Sequence, residues 1–215
     1  MGKKPKLTEQ EGGFAHLVSV NGQQDGKRKA VYSQKKQDSL AARLRAGDRA
    51  AAAELVDIYY EQIYWFMRRL GHDRQVSEDL TQDSFLQAWQ HIGQLRSGKA
   101  LNGWLYRIAG NVSRLYWRRH KGREAVGIGK ADVADSREAD CHKVEYSEQL
   151  DELKNAVVKL SAKLRQAVVL HYMQHLSISE AAEAAGVAEG TFKSRLNRAL
   201  RALRKQVASE KEGSE

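Results

Sequence analysis

Apolar positions recur at spacings of three and four through two long stretches of this chain, a pattern that predicts helices. In the first stretch a short helix over residues 39–46 stops at Gly47. Asp48 caps a long helix whose stripe is Ala52, Leu55, Val56, Tyr59, Ile63, Phe66, Met67 and Leu70, and Gly71 closes it. A third helix spans about 75–92, with Phe85, Ala88, Trp89 and Ile92 facing inward. After a Gly/Ser-containing loop over 93–100, Asn102 caps a fourth helix reaching about His120. Its core stripe is Leu105, Ile108, Ala109, Val112, Leu115 and Tyr116.

The second stretch begins with a helix over 148–160, with Leu150, Leu153, Val157 and Leu160 inward. Ser161 caps the next, about 162–175, which carries Leu164, Val168, Val169 and Tyr172. Two shorter patterns then meet at Gly186-Val187. The first opens on Ser177 with Glu180 three residues later, a capping box. Gly186 sits where the chain must turn sharply. The second places Phe192, Leu196, Leu200, Leu203 and Val207 on one face. That is a helix-turn-helix.

Between and around these stretches the periodicity vanishes. Residues 1–37 are rich in Gly, Lys and Gln and predict a disordered basic tail. Residues 122–147 are polar and mixed in charge, too long for a loop inside a compact domain, and predict a flexible linker. Stretched out, about 25 residues reach about 80 Å, enough for two bodies to bind separate places on a duplex whose turn is ~34 Å. The predicted fold is all-α: two small helical domains, 38–121 and 148–207, joined by that linker and followed by a tail over 208–215.

Composition narrows the partners. The 215 residues carry a net charge of +9, which suits a polyanion. No apolar run approaches the ~18 residues of a membrane span, and no lipidation motif appears, so no membrane insertion is expected. The single Cys141 excludes an internal disulfide framework and fits a reducing cytoplasm. His171 and His175 are four apart, but no third ligand type completes a zinc site; no metal or cofactor is expected, and no catalytic set is visible.

Three polar faces carry the chemistry. Asp79, Gln82, Asp83 and Leu86 share one face of the third helix, at i, i+3, i+4 and i+7. Two acids, an amide and an exposed leucine suit docking onto a basic helical partner, and a plain solvated face fits the same pattern equally well. On the fourth helix Trp104, Arg107, Asn111, Arg114 and Arg118 repeat at three and four, with Tyr106 and Arg119 beside them. Guanidinium groups track phosphates, aromatics stack on bases and an amide bonds an unpaired base edge, so this stripe fits single-stranded DNA. On the last helix Thr191, Lys193, Ser194, Arg195, Asn197 and Arg198 lie off the apolar face. Six basic residues fall between Lys193 and Lys205, against one acid, Glu189. Such a helix fits the major groove, where Arg bridges guanine O6 and N7.

These residues together resemble an extracytoplasmic-function sigma factor, the two-domain branch of the sigma-70 family. Asp79-Leu80-Thr81-Gln82-Asp83 with Phe85 and Trp89 is similar to the family's D-L-x-Q-[DE]-x-F helix. Trp104-Leu105-Tyr106-Arg107-Ile108-Ala109, with Asn111 and Arg118-Arg119, is similar to its W-L-x-x-I-A-x-N…RR helix. Leu164-Arg165-Gln166-Ala167-Val168 resembles the start of its C-terminal domain. Gly190-Thr191-Phe192-Lys193-Ser194-Arg195-Leu196 with Arg198-Ala199 resembles its recognition helix.

The resemblance implies that the acidic face binds the clamp coiled coil of the polymerase β′ subunit, with the β flap as a further contact of core RNA polymerase. It implies that the helix over 104–119 and the loop before it melt and read a promoter −10 element, with Asn111 near an extruded base. The 191–198 segment would read the −35 element. An anti-sigma factor is an implied partner, and the site of action is the cytoplasm, on the nucleoid. Leu115 stands where the family usually has Asp, Ser161-Ala162 replace its usual proline, and Ala188 is a poor N-cap. The alternative is a stand-alone helix-turn-helix regulator, which explains the C-terminal domain but neither the acidic face nor the Trp/Asn/Arg stripe.

Overall fold

The computed structural model describes residues 34–120 and 155–212, and no strand occurs among them. The tail before residue 34, the 122–147 stretch, Leu150 and Leu153 lie outside the described residues. Four helices form the N-terminal body: α1 (Gln34–Arg45), α2 (Arg49–Arg69), α3 (Arg74–Gln90) and α4 (Leu101–His120). Two 3-10 turns, Ile92–Gln94 and Gly98–Ala100, lead from α3 into α4. The C-terminal body holds a helical turn at 155–159, then α5 (Ala162–Val168), α6 (Ile178–Ala185) and α7 (Glu189–Glu212).

Local signals place the helix ends. Asp48 caps α2 by accepting from the Ala50 amide at 2.8 Å, and Asp73 caps α3 by accepting from Val76 at 2.8 Å. Both fill amide donors that the first helical turn leaves open. Arg43 bridges Asp48 at 2.9 Å and Glu54 at 2.7 Å, tying α1 to the start of α2. Before α6, Ser177 and Glu180 form the full capping box. Gly186 then takes φ +66, a left-handed turn that aims α7 away from α6.

Three sequence expectations change. Trp89 is 38% exposed rather than inward. The buried line of α3 is Ser77, Leu80, Thr81, Ser84 and Ala88, and Phe85 and Trp89 lie at its rim. Small hydroxyl residues can line a core here because their protons are satisfied locally: Thr81 Oγ1 donates to Ser77 O and Ser84 Oγ to Leu80 O, both at 2.6 Å. Asn102 does not cap α4, which starts at Leu101 as a continuation of the 3-10 turn before it. The helix after Ser161 is α-helical only to Val168; it widens into a π-helical turn, Val169–Met173, and ends before His175 at φ +53.

The two bodies are in contact and share one continuous core. Their main seam is α4 against α6. Side chains also cross between them. Tyr106 donates to Gln174 Oε1 at 2.7 Å, Arg165 Nη1 to Leu70 O at 2.7 Å, and Arg69 Nη1 to Met173 O at 3.3 Å.

Candidate nucleic-acid interface

The polar faces are built by helices whose opposite sides are pinned in the core. On α7, Phe192, Ala199 and Leu203 are fully buried, and Leu196 and Leu200 nearly so. This leaves Thr191, Lys193, Ser194, Asn197, Arg198 and Arg201 in solvent, with Arg195 half-buried at the edge. Ser194 Oγ donates to the Thr191 carbonyl at 2.9 Å, and Lys193 lies 3.8 Å from Glu189 one turn back. Such an exposed pair is weak and easily exchanged for a phosphate. Arg195, Asn197 and Arg198 have no side-chain partner among the described residues. Their donors are available to a base edge or phosphate.

On α4 the predicted stripe divides. Arg107, Asn111, Arg114, Arg118 and Arg119 are exposed. Arg114 Nη2 donates to Asn111 Oδ1, and its Nε reaches Gly110 O at 3.3 Å, so the guanidinium holds the amide in place. Trp104 and Tyr106 do not join them. Trp104 is 7% exposed and Tyr106 2%. The Tyr106 ring meets Phe66 edge-on at 5.2 Å, and burial raises its hydroxyl pKa far above the ordinary value. A single helix with one core face would leave these aromatics in solvent. Here α4 is covered on two sides, by its own body and by α6.

On α3, Asp79, Gln82 and Asp83 are exposed and Leu86 is 61% exposed. None of the four has a side-chain partner among the described residues. Trp89, Tyr60 and the half-buried Phe85 lie nearby, with Tyr60 and Phe85 stacked at 6.4 Å. The face therefore joins free carboxylates to apolar surface, a combination suited to a protein partner. His171 Nδ1 bonds the Leu176 carbonyl at 2.9 Å.

Two supports escaped the sequence reading. His72 in the α2–α3 turn is buried, shares a 2.7 Å hydrogen bond with Ser113 Oγ of α4, and stacks on Trp117 at 4.9 Å. Arg165 spreads its guanidinium over the Leu70, Leu160 and Val158 carbonyls, and burial lowers its pKa. A lone histidine carries no periodic signal, and Arg165, read along the chain only as part of a family motif, gives no sign there of the carbonyls it gathers.

The chain is similar to known proteins. Residues 55–123 match the family model for Sigma-70 region 2, and residues 150–203 that for Sigma-70 region 4. The chain is 31% identical over 174 residues to the ECF RNA polymerase sigma factor SigW of Bacillus subtilis, covering 76% of this chain and 92% of that one. It is 33% identical over 168 residues to the ECF RNA polymerase sigma factor SigL of Mycobacterium tuberculosis, covering 74% and 92%. Among solved structures, the sigma factor RpoE in complex with the anti-sigma factor NepR from Bartonella quintana matches with TM-score 0.55 and 29% identity, over 73% of this chain and 96% of that one. CnrH, solved with the cytosolic domain of CnrY, shares the fold at TM-score 0.61 and 22% identity, over 80% and 98%.

Proposed function

Because the chain belongs to the extracytoplasmic-function branch of the sigma-70 family of RNA polymerase sigma factors, we propose how its exposed surfaces divide that family's work. The protein is a transcription initiation factor that binds core RNA polymerase and directs promoter recognition. A stand-alone regulator would account for residues 150–203 but not for the region 2 match over 55–123.

In this reading Asp79, Gln82, Asp83 and Leu86 dock on the β′ clamp coiled coil. The leucine is the apolar anchor and the free carboxylates steer a basic helix onto it. Arg107, Asn111, Arg114, Arg118 and Arg119 hold the opened −10 strand, with Trp104 and Tyr106 as the buried footing of that stripe. Thr191, Lys193, Ser194, Arg195, Asn197 and Arg198 read the −35 duplex, and the body that carries them, 148–207, also meets the β flap. An anti-sigma factor is a further partner, and the protein acts in the cytoplasm, on the nucleoid. The observation that carries the division is the acidic face on α3, without side-chain partners among the described residues, in the same chain as the exposed basic face on α7, where Arg195, Asn197 and Arg198 likewise have none.

The test is run-off transcription with purified core polymerase on genomic fragments. The protein should direct new start sites, and the Asp79→Lys/Asp83→Lys variant should lose co-elution with core while keeping its helical circular dichroism. A normal holoenzyme from that variant would remove the docking assignment.

A further inference from the structure

We propose that Asp38 is a positioning residue for the loop 91–100, and that α1 splints this loop against the promoter strand. This rests on the reading above, in which α4 and the loop before it face the −10 element. The loop exposes His91, Gln94, Arg96, Ser97 and Lys99, a row of polar and basic groups leading straight into α4. Its two regular pieces are three-residue 3-10 turns, which hold their shape poorly alone.

The support comes from α1, which packs on both turns. Leu40, Ala41 and Leu44 of α1 and Leu95 of the loop are each 1% exposed or less and belong to the same core. Two side chains of α1 then bond the loop backbone. Asp38 Oδ1 accepts from the Gly98 amide at 3.0 Å, and Arg45 Nη1 donates to the Arg96 carbonyl at 3.3 Å. Asp38 and Arg45 are seven residues apart, two turns on one helix face.

The Asp38 bond does what the loop's own sequence does not. Ser97 stands at the N-cap of the turn Gly98–Ala100 and makes no side-chain cap bond. Asp38 fills another open donor of the same turn, the Gly98 amide, from 60 positions away in the chain. Its carboxylate also lies at the start of the turn that runs on into α4, where open amides favour negative charge. The approach leaves no room to spare. A Cβ on Gly98 would run into the backbone of Asp38 and Gln37 as well as the Asp38 carboxylate, and the backbone atoms cannot swing aside. The register of the loop is therefore set by α1.

The experiment uses the full chain with core polymerase. Gel-shift competition measures how well holoenzyme distinguishes single-stranded oligonucleotides carrying the intact −10 sequence from ones with base changes. Asp38→Ala should leave core binding and −35 preference unchanged and shrink that ratio by about tenfold, the low end for a hydrogen bond to a charged group. Asp38→Asn keeps an acceptor oxygen and should restore most of it. Hydrogen exchange at the Gly98 amide of the free chain should quicken in Asp38→Ala and return in Asp38→Asn. A purely structural role would lower thermal stability while leaving the ratio intact. That outcome, or an unchanged Gly98 exchange rate, overturns the proposal. If wild-type holoenzyme itself shows no −10 preference, the functional reading fails instead.

Discussion

Acid should loosen this protein through His72. The ring is 3% exposed, lies against Trp117 and edge-on to Tyr116 at 5.2 Å, and its Nδ1 has no hydrogen-bond partner among the described residues. Burial lowers its pKa from 6.5 to about 4; Asp73 pulls it up and the Arg165 guanidinium pushes it down again. Since the folded value lies below the unfolded one, the unfolded chain takes up the proton first as pH falls. Stability from this group is therefore complete above about pH 6.5, drains away towards pH 4, and is flat below that. The gap corresponds to about 3 kcal/mol. Urea denaturation of the protein and of His72→Gln, at several pH values between 7.5 and 4, isolates the effect. The variant should be the less stable at pH 7.5, and the difference should shrink by ~2–3 kcal/mol by pH 4. The His72 ring resonances should titrate with a midpoint near 4. A difference that stays constant across this range, or a ring midpoint at 6.5, would refute the reasoning.

Two other substitutions probe the C-terminal body. Arg198→Ala should cost ~1–3 kcal/mol in binding the preferred −35 duplex and little on scrambled DNA, as measured by footprinting at fixed salt; an equal loss on both would make Arg198 a phosphate contact only. Phe192→Ala empties a fully buried site and should destabilise the protein by about 3–5 kcal/mol in urea denaturation, with −35 binding lost in step with folding.

The fold was legible where its causes are local. Asp48, the Ser177–Glu180 box and Gly186 act over four residues or fewer, so the chain itself displays them. The apolar face of α7 was legible because one helix side meets one core. Legibility failed where a second partner enters. Trp104 and Tyr106 look outward on a helix with a single buried face, yet they are covered, because α4 is enclosed by its own body and by a second one. Ser77, Thr81 and Ser84 read as polar, yet they line the core by returning their hydroxyl protons to the local backbone. The π-helical turn after Val168 has no cap residue or proline to announce it.

Where Gly103 of α4 meets α6, the seam is lined with residues that have little to interdigitate. Gly103 lies so near α6 that an added methyl would sit 3.4 Å from the Glu180 carbonyl, and Ala181, Ala182, Ala184 and Ala185 make up half of α6. Surfaces like these meet as plates rather than gears, with few teeth to resist sliding. Alignment then falls to directional bonds, Tyr106 with Gln174, Arg165 with the end of α2 and Arg69 with the Met173 carbonyl. These polar clasps, more than shape, fix where one plate stops along the other.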